Sequence, residues 1–286
     1  MGKREPVGEK RRHPGRKLLI LAVVVVIVAG FVWSQQTILC RQELTVTCPG
    51  LPAEFDGYRI TLVSDLHGTE FGPDNVRLIR AVAASEPDCI AILGDLVDDP
   101  DQLAMVPATV KGLAAVAPCF YITGNHEWAA NCVPELTEIL TDCGVTVLLN
   151  DWELLERDGA VIVMAGVQDN LDRTDGRTPE LLIREIETER PGTYTALLAH
   201  RNTRLKRFAA CGYDLVLSGH GHGGVIRLPV VGGLIDTDHT LNAHYEDGLY
   251  TRGETQMVVS RGLGNNPHTL RLFNLPQVLT VVLESA

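Results

Sequence analysis

The chain has 286 residues, 45% of them hydrophobic and 21% charged, which excludes an extended disordered protein and leaves room for one large domain or two ordinary ones. Its formal net charge of −11 is unevenly spread: the first 17 residues carry seven basic and two acidic side chains, a balance of +5 that leaves −16 for the rest. So acidic a body repels nucleic-acid phosphates, so nucleic acid is disfavoured as a partner unless bound cations reverse the charge locally.

An uncharged apolar run of 16 residues, 18–33, follows Arg16-Lys17 directly. It exceeds a signal-peptide core, falls just short of the roughly 17–25 residues of a membrane span, and is extended by Ser34-Gln35-Gln36. No small-x-small cleavage site follows it, and Trp33 suits an interfacial anchor. We read 1–17 as a basic cytoplasmic tail and 18–36 as an uncleaved transmembrane signal-anchor, with a cleaved signal peptide as the alternative. Positive flanks stay inside, so the expected product is a single-pass protein of the cell membrane with its body outside the cytoplasm. Residues 37–57 read as a connector with turn chemistry at Pro49-Gly50, Pro52 and Asp56-Gly57, and 58–286 as the functional domain. Seven cysteines include no Cys-x-x-Cys pair, which disfavours a thiolate zinc site. Cys40 with Cys48, or Cys132 with Cys143, are pairs that an oxidising compartment could bridge, whereas Cys89 and Cys119 read as buried thiols.

From Tyr58 onward, β-rich runs alternate with helix-period segments. Strand 59–64 precedes helix 73–85, which sets Val76, Ile79, Val82 and Ala83 on one face. Strand 89–93, helix 101–115, strand 119–122 and helix 133–143 follow. Segments 145–148, 152–156 and 161–165, separated by Asn150-Asp151 and Asp158-Gly159, read as successive hairpins. Helix 179–189, strand 194–198, helix 203–211, strand 215–217 and strand-like 257–260, 270–273 and 278–283 complete the series. This mixture predicts an α/β fold, a four-layer α/β/β/α sandwich of two mixed sheets, preceded by one N-terminal transmembrane helix.

Five strands stop abruptly at polar residues. They run into Asp65-Leu66-His67, Gly94-Asp95, Gly124-Asn125-His126-Glu127, His200, and Gly219-His220-Gly221-His222. Loops at the carboxyl ends of neighbouring strands converge on one crevice in such folds. Carboxylates, imidazoles and one amide oxygen suit two divalent transition-metal ions, manganese, zinc or iron, better than magnesium or calcium. Singly, Asp65, Asp95 and Asn125 would pass as caps or turn residues and His200 as a satisfied buried histidine. Together they require five coincidences in order.

These blocks, with SDLH, GDLVD, SGHGHGGVIRLP and Ser260–Gly264 (SRGLG), resemble the calcineurin-like metallophosphoesterases, most closely their membrane-associated bacterial subgroup. The resemblance implies that Asp65, His67 and His222 hold one ion, that Asn125, His200 and His220 hold the other, and that Asp95 bridges them. It further implies a bridging hydroxide as nucleophile, His126 as the catalytic residue that donates a proton to the leaving group or steadies the transition state, and Asp98 and Glu127 as partners that orient ligating imidazoles. Arg201-Asn202 departs from the Asn-Pro often found after the lone histidine in that subgroup.

The expected activity is hydrolysis of a phosphomonoester or phosphodiester, with a lipid-linked phosphate or envelope metabolite as substrate class and a monomer as the working unit. A nuclease or nucleotide phosphodiesterase, and a metal-holding interaction module without catalysis, are the alternatives. The second would show degenerate ligands, and none is degenerate. Gly219-x-Gly221-x-x-Gly224 with Asp238 mimics a dinucleotide fingerprint, but 225–229 reads as strand where that motif needs a helix. His13, His239, His244 and His268 lack supporting spacing.

Overall fold

A continuous helix, α1 (Pro14–Thr37), carries the apolar run. Its 24 residues rise about 36 Å, enough to cross a hydrocarbon core of about 30 Å, and the side chains of its apolar run are exposed except for a half-buried Val32, as a core helix's would not be. The computed structural model describes residues 14–169, 177–224, 227–228, 232–233, 245–265 and 270–286.

The first half of the body runs β1 (Cys40–Cys48), β2 (Arg59–Val63), α2 (Val76–Ala83), β3 (Cys89–Ile92), α3 (Val106–Ala114), β4 (Cys119–Tyr121), α4 (Asn125–Ala129), α5 (Val133–Asp142) and β5 (Thr146–Val147). The second runs β6 (Asp151–Arg157), β7 (Ala160–Val167), α6 (Pro179–Glu189), β8 (Thr195–Arg201), α7 (Leu205–Cys211), β9 (Leu215–Gly219), β10 (Arg227–Leu228), β11 (Gly232–Gly233), β12 (Gly248–Arg252), β13 (Thr255–Val259) and β14 (Gln277–Ser285). One mixed sheet has the order β1-β14-β2-β3-β4-β5 and the other β12-β13-β9-β8-β7-β6, while β10 and β11 pair separately.

Strand periodicity explains the layers. Ile60, Leu62 and Ala91 of the first sheet share one apolar cluster with Ile162, Met164, Ala196, Leu198, Leu215 and Leu217 of the second. The alternate residues Ile90 and Ile92 point the other way, against Leu78 and Val82 of α2, Val110 and Leu113 of α3, and Leu136 and Leu140 of α5. On the opposite face Val163, Ala165, Leu197 and Val216 meet Leu182 and Ile186 of α6 and Leu205 and Phe208 of α7. Helices, two facing sheets and helices again make the four layers expected from sequence. Truncating a buried leucine in any of these clusters costs about 2–5 kcal/mol.

Three expectations change. Residues 40–48, read as part of a connector, form a sheet-edge strand parallel to β14. Segments 145–148 and 152–156 are not a hairpin: β5 closes the first sheet and β6 opens the second, so this link crosses between layers. Only β6 and β7 form the hairpin, through Asp158 and Gly159, both left-handed at φ 51° and 86° as a two-residue primed turn requires. Within 270–273 only Leu272 makes an isolated bridge, its carbonyl accepting the Arg227 N–H. The cysteines are all free. Cys40 and Cys48 end one strand about 26 Å apart, and Cys132 and Cys143 flank α5 about 16 Å apart, against the roughly 7 Å limit for a disulfide.

Candidate metal centre

The carboxyl ends of the parallel strands in both sheets open on one edge of the sandwich. Asp65 and His67 follow β2, Asp95 follows β3, Asn125 opens α4 after β4, His200 lies near the end of β8, and His220 and His222 follow β9. Asp65, His67, Asp95, His220 and His222 all adopt left-handed backbone, with φ between 47° and 65°. Such positions cost about 1–3 kcal/mol each, and they persist because the surroundings over-determine them. The Asp65 N–H donates to the Gly94 carbonyl, the His67 N–H to the Asp95 carbonyl, and the His220 N–H to the Asp65 carboxylate, at 2.9–3.1 Å. Gly94 and Gly124 allow the ends of β3 and β4 to touch. A Cβ on the first would strike the Gly124 backbone, and a Cβ on the second would strike the Asp95 carboxylate.

Two groups of donor atoms result. In the first, Nε2 of His67 and Nε2 of His222 are 3.1 Å apart, and Asp65 Oδ1 lies 3.6 Å from His222 Nε2. In the second, His200 Nε2 lies 3.1 Å from Asp95 Oδ2 and 3.2 Å from His220 Nδ1. Asp95 joins the groups, since its Oδ2 is also 3.9 Å from His67 Nε2. The Asp and His side chains of both groups are buried, and the Asn125 Oδ1 is buried without a hydrogen-bond partner.

Proton placement decides what these atoms need. His200 Nδ1 donates to the Leu93 carbonyl at 2.7 Å, and His67 Nδ1 to the Asp98 carboxylate at 2.5 Å. In the neutral His67 and His200 rings Nε2 is then a lone pair, aimed at His222 Nε2 in the first and at the Asp95 carboxylate and His220 Nδ1 in the second. Burial pushes His200 down, but the Asp95 charge and hydrogen bond outweigh it and lift this imidazole to about 10. Burial, then the charge of His200, drives His220 well below the usual range; burial, then His67, does the same to His222. Asp65 is raised by burial, whereas Asp95 is held down because its histidine contacts overcome burial. Buried carboxylates, converging lone pairs and an orphan amide oxygen fit divalent cations, which would take the place of the proton on His200.

The supporting residues differ in kind. One oxygen of Asp98 accepts from His67 Nδ1, and the same oxygen accepts from His126 Nδ1 at 2.7 Å. Glu127 touches no ligating imidazole. Its carboxylate accepts the backbone N–H groups of Leu96 at 2.6 Å, Gly124 at 2.8 Å and Asp95 at 3.1 Å, so it fixes the loops after β3 and β4. The signal for this was present: a glutamate three residues after Gly124 is the spacing of a capping box. Sequence reasoning missed Arg271 and Asn274. Arg271 is fully buried near Asp65, and the Asn274 Nδ2 holds the His222 carbonyl at 2.6 Å. His13, Asp238, His239, His244 and His268 lie outside the described residues.

A sequence profile described as calcineurin-like phosphoesterase matches residues 58–224, which hold the six converging Asp and His side chains and Asn125. The chain belongs to the calcineurin-like phosphoesterase family. Among members of that family it is 29% identical over 257 residues to the uncharacterized metallophosphoesterase YkuE of Bacillus subtilis, covering 85% of each chain. It is 30% identical over 292 residues to a transmembrane protein with metallophosphoesterase domain from Bos taurus, covering 95% of this chain and 64% of that one. It is 28% identical over 233 residues to the phosphodiesterase YaeI of Escherichia coli, covering 79% of this chain and 82% of YaeI. At the point where the subgroup resemblance breaks, both residues are tied into this member's own structure. Arg201 pairs with Asp169 at 2.8 and 3.0 Å, and the Asn202 Nδ2 donates to the Tyr245 carbonyl at 2.8 Å.

Proposed function

We propose that the chain is a dinuclear metal-dependent hydrolase of a phosphate monoester or diester, tethered by α1 with its site on the extracytoplasmic side. The observation that carries the reading is two groups of buried Asp and His donor atoms gathered within ligand reach of one another, with the Asn125 Oδ1 also buried and without a hydrogen-bond partner. Asp65, His67 and His222 would hold one ion, Asn125, His200 and His220 the other, with Asp95 between them. Two divalent transition-metal ions, manganese, zinc or iron, supply Lewis acidity at the phosphoryl oxygens and activate the attacking water when bound.

The remaining steps belong to side chains. Asp98 fixes the Nδ1–H of His126 and leaves Nε2 on the side of the centre, 4.0 Å from Asp95 Oδ2. The Asp98 hydrogen bond raises the His126 pKa against the pull of burial, which favours the protonated ring. As the ester P–O bond breaks, that proton passes to the leaving oxygen. Glu127 keeps the loops of Asp95 and Asn125 in register. The YaeI name favours the diester as one of the substrates to try, and the nearby bilayer favours a lipid-linked or envelope phosphate, handled by a monomer.

Elemental analysis of the full chain, together with a phosphate-release screen over mono- and diesters, tests this reading. Both ions and ester cleavage are expected. Protein that stays metal-free with manganese, zinc and iron each in excess would sink the site assignment. Full metal loading with no hydrolysis of any ester would favour the non-catalytic alternative.

A further inference from the structure

The described stretch Leu270–Asn274 alternates sharply between inside and outside. Arg271 is 1% exposed and Asn274 is fully buried, yet Leu270 is 45% exposed and Phe273 53%. Exposed leucine and phenylalanine so close together are unusual on a water-facing loop, and Phe273 holds this posture with left-handed backbone at φ 54°, an uncommon state for an aromatic residue. The neighbour of the Phe273 ring is Phe31, inside the apolar run of α1, with ring centroids 5.3 Å apart. The apolar surface of the helix therefore continues onto the body.

The joint between the two is rigid. Gln36, near the end of α1, donates through Nε2 to the Arg271 carbonyl at 2.8 Å. Its Oε1 accepts from Asn265 Nδ2 at 2.8 Å and from the Arg271 N–H at 3.3 Å. Arg77 of α2 donates to the Thr37 carbonyl at 3.0 Å. Arg271 carries the connection inward: its guanidinium donates to the carbonyls of Arg261 and Gly264 at 2.7–3.1 Å. The N–H groups of Leu263 and Gly264 in turn donate to the carbonyls of Ser64 and Asp65 at 2.9 and 2.7 Å. A short chain of hydrogen bonds thus joins the helix end to a ligand of the candidate centre.

We infer that Leu270 and Phe273 seat in the lipid leaflet from which α1 emerges, so that the body docks on the bilayer in one fixed orientation instead of swinging on a tether. This rests on α1 being a membrane span. The occupant is lipid because the patch is continuous with a helix whose own apolar side chains need the same solvent. Trp33, 66% exposed on the same end of α1, marks the depth at which an interfacial aromatic settles.

The test uses the full chain in phosphatidylcholine–phosphatidylglycerol vesicles, with p-benzoylphenylalanine in place of Val24, Leu181, Leu270 or Phe273, one at a time. After illumination, mass spectrometry counts lipid adducts. Adducts are expected at 24, 270 and 273, and none at 181, an exposed leucine on α6. Adducts at 24 without any at 270 or 273 would overturn the docking and leave the span intact. Absence at 24 would overturn the span on which the docking depends. Cross-links from 273 to a second copy of the chain, or labelling at 181 as strong as at 273, would also overturn it.

Discussion

A single oxygen of Asp98 lies 2.7 Å from His126 Nδ1 while holding His67 Nδ1 at 2.5 Å, so one carboxylate couples the proposed acid to a proposed ligand. Burial pushes the Asp98 carboxyl up, but the hydrogen bonds from His126 and His67 outweigh it and hold the group at about 2. It is ionised at neutral pH.

His126→Ala is expected to keep both metals, because its imidazole is assigned to the leaving group. The rate should fall about 10²–10⁴-fold, and more for alkyl esters than for nitrophenyl esters, whose leaving group departs without a proton. Metal content and the two rates are the measurements. Metal loss would make His126 a ligand.

Asp98→Asn separates the two tasks of this carboxylate. Losing the ring anchor of His67 should weaken metal binding about 10–100-fold, read by competition with a chelator. The His126 pKa, raised by Asp98, should drop. The acid form is the active one, so activity falls as pH rises through that pKa. The alkaline limb of kcat/KM should therefore move to lower pH in the metal-saturated variant. An unmoved limb would disconnect Asp98 from the acid.

Asp95→Asn removes the charge that both donor groups share. Both ions should be depleted together and turnover abolished, measured by elemental analysis and phosphate release. Retention of either ion at full occupancy would show that Asp95 does not bridge.

The strand stops that announce the ligands are plain in the sequence, because an apolar run that ends at His, Asp or Asn is costly unless something binds there. The left-handed backbone of Asp65, His67, Asp95, His220 and His222 is not, since both residue types tolerate that region without a local signal. β1 was hidden by its edge position: Arg41, Gln42 and Glu43 face water, and only Leu44, Val46 and Cys48 show the inward alternation. The crossing between β5 and β6 was hidden because Asn150-Asp151 has hairpin chemistry, yet Asn150 uses its side chain to accept the Gln168 N–H. Glu127 reads as a partner of imidazoles because it stands beside a proposed ligand in sequence, while its hydrogen-bond partners are backbone N–H groups.

Glu127→Ala leaves three buried N–H groups without an acceptor. Thermal melts should show at least about 2 kcal/mol of lost stability, roughly 4–8 °C in Tm, with metal-free protein affected as well. A shift confined to the metal-loaded form would mean that Glu127 acts through the ions and not through the loops.

Protease added to intact spheroplasts should strip the body from the membrane, as the basic residues ahead of α1 require. Full protection until lysis would reverse the orientation.

β14 lies between β1 and β2, parallel to the first and antiparallel to the second. During synthesis β1 leaves the ribosome soon after α1, but among the described residues its one partner in the sheet is β14, residues 277–285. Until those are made, the nine residues of β1 lack their partner strand, and an unpaired strand edge is a template for pairing with another chain. Completion of the first sheet and clamping of the anchor strand are therefore one late event. A ribosome stalled before residue 277 leaves β1 without the strand that joins it to the sheet.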